Sequence, residues 1–309
     1  MKKKTSSDVR ARREQLLSLM GPLPSREGPV KATMIERTPR DGYMLERLVL
    51  DLNGMERVPA VFVSPLDAPA DKPLPTVLYN HSHGGRYEVG KAEMLAPHTY
   101  DQNIAYAIDM TRRGWRALAI DHWAFGERRG RTEGEIFKEF LWRGQVLWGL
   151  MVHDSLRAVD YLVGRPDVDA SRLGTIGMSM GSTMAWWLAA LDERIRVTVD
   201  VCCLTEFEDL VDVQGVDFHG VYYYVPDLLN HFTCAEINAL IAPRPHLGLA
   251  GSYDRLTPMA GLKKIDAHLR RVYKRAGADR AWTLSLHETG HVQTAAMRKE
   301  AMTFLERWL

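Results

Sequence analysis

Leu173-Gly174-Thr175-Ile176-Gly177-Met178-Ser179-Met180-Gly181-Ser182 decides how this chain is read. It opens as a short apolar run of strand character and passes through Gly-x-Ser-x-Gly. It then continues into Met184, Trp187, Leu188 and Leu191, whose i, i+3, i+4, i+7 spacing is that of one helix face. Between a strand and a helix, Gly-x-Ser-x-Gly marks a tight turn whose glycines let the chain reverse and lift the serine hydroxyl clear of a sheet. The same turn sets Ser179 at the positive end of a helix. Ser179 is therefore read as a nucleophile. A serine hydroxyl is weak near neutral pH, so it requires a positioned base, and the base requires an orienting acid.

Outward from this turn, short apolar strands alternate with amphipathic helices. Strands are expected at residues 48–50, 58–63, 76–79, 117–120, 173–176, 195–201, 247–250 and 282–286, and helices at 152–163, 180–191, 259–273 and 292–308. Asn53-Gly54 between the first two strands suggests a hairpin. The pattern is that of an α/β protein with a mostly parallel central sheet, antiparallel at its start, flanked by helices. Residues 1–44, basic and polar with a short helical pattern near Leu16 and Leu17, are expected to form an arm. Residues 45–309 are expected to form one domain, with a cap insertion at about 203–240 where the alternation pauses. No internal repeat or low-complexity tract is visible.

The acid must follow a later strand. Asp254 does, in Gly251-Ser252-Tyr253-Asp254, and Asp200 at the end of the preceding strand is the reserve. Of the two histidines after the last strand, His291 is the expected base, because it follows Thr289-Gly290 on the loop before the final helix. His287, one residue beyond the strand, is expected to be supporting or structural. His98, His153 and His268 fall on expected helices and are read as surface or core residues. Asn80-His81-Ser82-His83-Gly84-Gly85 ends the third strand in a turn whose glycines free backbone N–H groups. The oxyanion hole is expected there, with His83 or Gly84 as one donor and Met180 as the other. The competing reading of His81 and His83 is an H-x-H metal pair, but no further ligand cluster accompanies it, so no metal or cofactor is expected.

Trp123, Phe125, Tyr222, Tyr223 and His219 are candidates to line a substrate pocket, against the alternative that half of such residues are the insertion's own core. Arg128, Arg129 and Arg131, which follow the strand ending at Asp121, either meet an acidic group on the substrate or form a solvated basic loop.

With Ser179, Asp254 and His291 in this order behind His83-Gly84-Gly85, the chain resembles the α/β-hydrolase superfamily over nearly all of its length after residue 45. Arg143-Gly144-Gln145, the stretch from Asp154 to Leu162, Pro166-Asp167-Val168-Asp169 and Ala242-Pro243-Arg244-Pro245 make it similar to the dienelactone hydrolase and acetyl-xylan-esterase-like branch. Deacetylases of that branch carry His-Gly-Tyr where this chain reads His81-Ser82-His83, and dienelactone hydrolases proper use cysteine where this chain has Ser179. The resemblance implies hydrolysis of a carboxylic ester but no particular substrate; a small acyl group and an acetylated or carbohydrate-type ester are the candidates kept. A peptidase of the same fold and a non-catalytic binding protein are the alternatives.

Composition agrees with an ordinary globular protein: 309 residues, 46% hydrophobic and 26% charged. A formal charge of +1 leaves no field to draw in nucleic acid. Of three cysteines, Cys202 and Cys203 are adjacent, so a disulfide framework is not expected. Met1-Lys2-Lys3-Lys4 is not followed by an apolar core of signal-peptide length, and no run of about 18 apolar residues suggests a membrane span. A cytoplasmic protein acting on a small-molecule ester is expected. The basic arm leaves a homo-oligomer open, since it either packs on a neighbour or stays solvated.

Overall fold

The computed structural model describes residues 6–69, 72–96 and 104–309; Met1-Lys2-Lys3-Lys4 and His98 lie outside the described residues. Among the described residues, nine strands form one sheet in the order β1-β2-β3-β5-β4-β6-β7-β8-β9. These are β1 (Lys31–Arg40), β2 (Tyr43–Asp51), β3 (Val58–Pro65), β4 (Leu74–Asn80), β5 (Arg116–Ile120), β6 (Val168–Met178), β7 (Ile195–Val201), β8 (His246–Gly251) and β9 (Trp282–His287). β1, β2, β3 and β5 pair antiparallel in succession, and from β5 to β9 every pairing is parallel. The hairpin expected at Asn53-Gly54 joins β2 to β3, with Leu50 opposite Val58.

The alternation of side chains along each strand divides the core in two. Leu78 and Leu118 face one layer, while Val77, Tyr79, Ala117 and Ala119 face the other. The first layer packs against α4 (Leu147–Val163), α5 (Met180–Leu191) and α9 (Met259–Arg275), together with residues of α1 (Ser6–Ser18) and α3 (Glu133–Trp142). The second packs against α2 (Tyr106–Arg112) and α10 (Ala295–Trp308). Both faces being covered explains why the parallel strands read as unbroken apolar runs. α9 shows the opposite pattern: Leu262, Ile265, Leu269 and Tyr273 are buried on one stripe and charged residues fill the rest.

Between β7 and β8 the chain makes α6 (Phe207–Asp212), α7 (Leu228–His231) and α8 (Cys234–Asn238) with two short 3₁₀ turns, Val216–Phe218 and Val221–Tyr223. Buried Glu206 closes this segment by accepting the N–H groups of Cys234 (2.9 Å) and Ala235 (2.7 Å) at the start of α8. α2 and α3 were not expected from sequence, and two further elements depart in ways that bear on the site's frame. β1 lies within the stretch read as an arm, and because it is exposed along nearly its whole length it shows no alternating buried face to read. The last helix begins at Ala295, capped by Thr294, whose hydroxyl accepts from Met297 N–H at 3.2 Å. His291 is thereby left on a loop.

Candidate active site

Because β4 to β9 run parallel, their carboxyl ends share one edge of the sheet, and the candidate residues collect there. Ser179 follows β6 with φ +56° and ψ −120°, a conformation that costs a non-glycine residue roughly 1–3 kcal/mol. Two contacts explain the flanking glycines. A Cβ on Gly181 would lie 2.0 Å from Asn80 O, and one on Gly177 would lie 2.2 Å from Gly181 O. The turn therefore closes only with glycine at both positions, directly against the end of β4. Asn80 locks that contact by donating from Nδ2 to Thr175 Oγ1 (2.8 Å) and Ile176 O (3.2 Å) on β6.

His291 reaches Ser179 Oγ with Nε2 at 2.8 Å and Asp254 Oδ2 with Nδ1 at 2.8 Å. The three expected residues are thus one hydrogen-bonded relay. Asp254 also accepts Leu256 N–H on Oδ1 at 2.9 Å. Burial alone would raise its pKa, but the His291 ring and the Leu256 N–H outweigh it, so the carboxyl is held below its ordinary value. Asp200, the reserve acid, is taken elsewhere: fully buried, it pairs with His246 Nε2 at 2.6 Å. His287 faces away from the relay, and its Nε2 meets Glu300 of α10 at 3.2 Å. His153 is buried in α4 against Leu52 O, and His268 lies in α9.

The acid and histidine loops are fastened to one another. Ser252 N–H donates to His287 O (2.8 Å) and Tyr253 N–H to Thr289 O (2.9 Å). Cys202 Sγ, below them, contacts Val292 O at 3.7 Å, and burial pushes this thiol up to about 12. Gly251 is where the two loops touch: a Cβ there would lie 2.3 Å from Gly290 O. Gly251→Ala is expected to part the loops and lower kcat/KM by about 10²-fold, the loss that follows a misplacement of about 1 Å. Ester kinetics on folded protein, with Tm measured alongside, check this.

The turn after β4 is held on both sides of Ser82. His81 Nδ1–H donates to Ser82 O at 2.8 Å, and its Nε2 accepts His122 N–H at 3.2 Å. Burial lowers the pKa of His81, so a neutral ring serves both contacts. A trans peptide points its C=O and the next N–H in opposite directions, so fixing Ser82 O aims the His83 N–H away from His81. His83 O accepts Arg86 N–H at 2.6 Å, and Gly84 and Gly85 have φ of +49° and +80°. His83 Nδ1 accepts Gly85 N–H at 2.9 Å, which leaves the proton on Nε2 to donate to Tyr222 Oη at 2.9 Å. His81 and His83 thus turn their nitrogens to different partners, unlike a metal pair. Met180 opens α5, so its N–H lies among those with no acceptor inside the helix.

The aromatic candidates divide. Phe125 stacks on Tyr87 (4.8 Å) and lies 5.5 Å from His83 and 5.8 Å from Tyr222. Tyr223 packs between Phe207 and Tyr224, 5.6 Å from His219, whose Nε2–H donates to Leu256 O at 3.0 Å. The insertion therefore spans the site, fastened to the turn after β4 through Tyr222 and to the loop after β8 through His219. Trp123 belongs to a different group: it packs edge-on against Phe140 at 5.2 Å and lies under Arg128.

The three arginines divide too, and Arg128 is not available to a substrate. Arg128 is buried, donating to Asp154 Oδ2 at 2.8 Å, to Asp121 O at 2.9 Å and to Glu56. Arg131 pairs with Glu139 and Arg129 turns to Gly126 O. Sequence alone gave no sign that Asp154, buried in α4, waits for Arg128. Arg128→Ala is expected to destabilise the protein by about 3–5 kcal/mol, because Asp154 is left as an unpaired buried charge. Denaturant unfolding checks the loss, and the ratio of rates on neutral and carboxylated esters should not move.

A mostly parallel sheet covered by helices on both faces is the architecture of the α/β-hydrolases, and solved structures share the fold. A glucuronoyl esterase from Solibacter usitatus matches with TM-score 0.71 at 16% identity, over 99% of this chain and 94% of its own. An acetyl xylan esterase from Paenibacillus sp. R4 matches with TM-score 0.63 at 19% identity, over 98% and 93%. Within that class the chain belongs to the acetyl xylan esterase (AXE1) family, whose model matches residues 46–229. It is 48% identical over 298 residues to "Putative hydrolase YtaP" of Bacillus subtilis (strain 168), covering 96% of this chain and 99% of that protein. Fold and family make it a carboxylic ester hydrolase.

Proposed function

We propose that the protein is a serine esterase working through an acyl-enzyme. His291 Nε2 takes the Ser179 proton as Oγ attacks the ester carbonyl, and Asp254 holds the ring and stabilises the imidazolium. The N–H groups of Met180 and His83, with Gly84 as the alternative to His83, receive the oxyanion. The imidazolium returns its proton to the leaving alcohol. Water, deprotonated by the same ring, then attacks the acyl carbonyl and frees Ser179. Every step uses the chain's own groups, so the reading calls for no metal or cofactor. The observation that carries it is the pair of 2.8 Å contacts joining Asp254, His291 and Ser179 at the strained turn.

The substrate is a small-molecule ester, and we infer a small acyl group on an acetylated or carbohydrate-type partner. This agrees with the acetyl xylan and glucuronoyl esterases that share the fold. Phe125, Tyr222, Tyr223 and His219 would line the site, with residues 203–240 as its cap and Trp123 behind the wall. We place the protein in the cytoplasm. Its three cysteines are buried and unbonded, and among the described residues no helix is long and apolar enough to cross a membrane. Labelling with a fluorophosphonate and mapping the modified peptide tests the nucleophile, and rates on acetylated sugars and simple acetates test the substrate. Label on Ser179 with fast deacetylation supports the reading. A folded protein that takes no label and turns over no ester overturns it.

A further inference from the structure

Glu93 is a buried carboxylate that the relay does not use. It sits in the 3₁₀ turn Gly90–Leu95 and is 4% exposed. Its two oxygens converge on one residue: Oε1 and Oε2 accept Ser82 N–H at 3.0 and 3.2 Å, and Oε2 accepts Ser82 Oγ–H at 2.6 Å. Tyr79 Oη donates to the same carboxylate from inside the sheet. The platform under Glu93 is itself fixed. Asp121, at the end of β5, accepts Lys91 N–H (2.7 Å), Lys91 Nζ (2.6 Å) and Glu127 N–H (2.9 Å). Gly90 meets that carboxylate so closely that a Cβ there would lie 2.2 Å from Asp121 Oδ1.

Ser82 takes no part in the proposed chemistry, yet buried side chains take up its N–H, its hydroxyl and its C=O. Glu93 grips the peptide before it and His81 the carbonyl after it. Two grips on successive peptide planes fix the Ser82 dihedrals, and the next N–H in the chain is that of His83. We propose that Glu93 is a positioning residue of the oxyanion turn, its carboxylate holding Ser82 so that the His83 N–H is aimed at the developing oxyanion. The inference rests on reading that N–H as an oxyanion donor. Charge-assisted bonds to backbone N–H are stronger and shorter than neutral ones, which suits a carboxylate to this task. An amide at this position offers one acceptor oxygen where the turn and Tyr79 present three donors.

The test is Glu93→Gln, with Ser82→Ala as a milder second variant that removes only the hydroxyl. On a chromogenic acetate, Glu93→Gln is expected to lower kcat on the order of tenfold to 100-fold, less than deletion of a donor, with KM within about threefold. Affinity for a boronic acid, which mimics the tetrahedral state, should fall in parallel with kcat/KM, and amide exchange in residues 80–86 should quicken. Ser82→Ala should move the same readouts in the same direction by less. The proposal is overturned if the variants keep wild-type kcat per folded molecule. It is overturned equally if kcat falls while boronate affinity and exchange in residues 80–86 stay unchanged. A wild-type protein inert on esters would sink the esterase reading alone, and exchange at Ser82 and His83 in the variants would still decide whether Glu93 holds the turn.

Discussion

Ser179→Ala is expected to lower kcat on an activated acetate ester by about 10⁶-fold, His291→Ala by nearly the same factor, and the double variant by no more than either alone. The reason lies in the geometry. Nε2 of His291 is 2.8 Å from Ser179 Oγ, so each group supplies what the other lacks: without the base the hydroxyl keeps its proton, and without the hydroxyl the base has nothing to activate. Groups that act as one unit lose their joint contribution once, and the remaining rate over water belongs to the oxyanion donors and to binding. Steady-state kinetics of the three variants, with circular dichroism to confirm folding, decide it. Losses that multiply in the double variant would mean that Ser179 and His291 act separately, and the relay would not be the source of the rate.

Asp254→Asn should lower kcat by about 10⁴-fold while leaving the backbone of the site in place. The neighbours of Asp254 say why an isosteric change is so damaging. Oδ1 is committed to Leu256 N–H at 2.9 Å, so the asparagine must keep its oxygen on that side. Its NH₂ then faces His291 Nδ1, which can meet it only as an acceptor. The ring proton is driven to Nε2, the atom that has to receive the Ser179 proton, and the base is blocked in the wrong tautomer. Loss of the negative charge also removes the partner that stabilises the imidazolium. A variant with wild-type kcat would show that another group orients the ring. Asp200 cannot be that group, since it is fully buried against His246.

Much of this was legible in the chain because the parallel strands are covered on both faces and so appear as apolar runs, with glycines at 177 and 181 that only a tight turn explains. The relay order followed from the same frame: a nucleophile after β6, an acid after β8 and a base after β9. Sequence preferred Asp254, in the turn after β8, and kept Asp200 near the end of β7 in reserve; the structure separates them, since Asp254 meets His291 and Asp200 is taken by His246. β1 was hidden because it buries no face. α3 did carry a signal in Thr132 and Glu135, which form a capping box at its start, but of its apolar residues only Ile136 and Phe140 are buried, and Leu141 and Trp142 are exposed. Glu93 was invisible for a different reason. A lone glutamate in a polar stretch carries no pattern, and its significance comes from Ser82, 11 positions earlier. Burial by tertiary contact also explains Arg128, which sequence placed in a loop and the fold placed against Asp154.

The hydrogen bond between Ser179 and His291 joins residues 112 positions apart, and His291 lies on the loop between β9 and α10. A ribosome therefore delivers the proposed nucleophile well before the base proposed to arm it. While β9 and α10 are still unmade or undocked, the growing chain carries only an ordinary, unreactive hydroxyl at Ser179. On the proposed mechanism the order in which the strands are made withholds reactivity until β9 and the loop after it have docked, so a partly made chain is not yet acylated at Ser179.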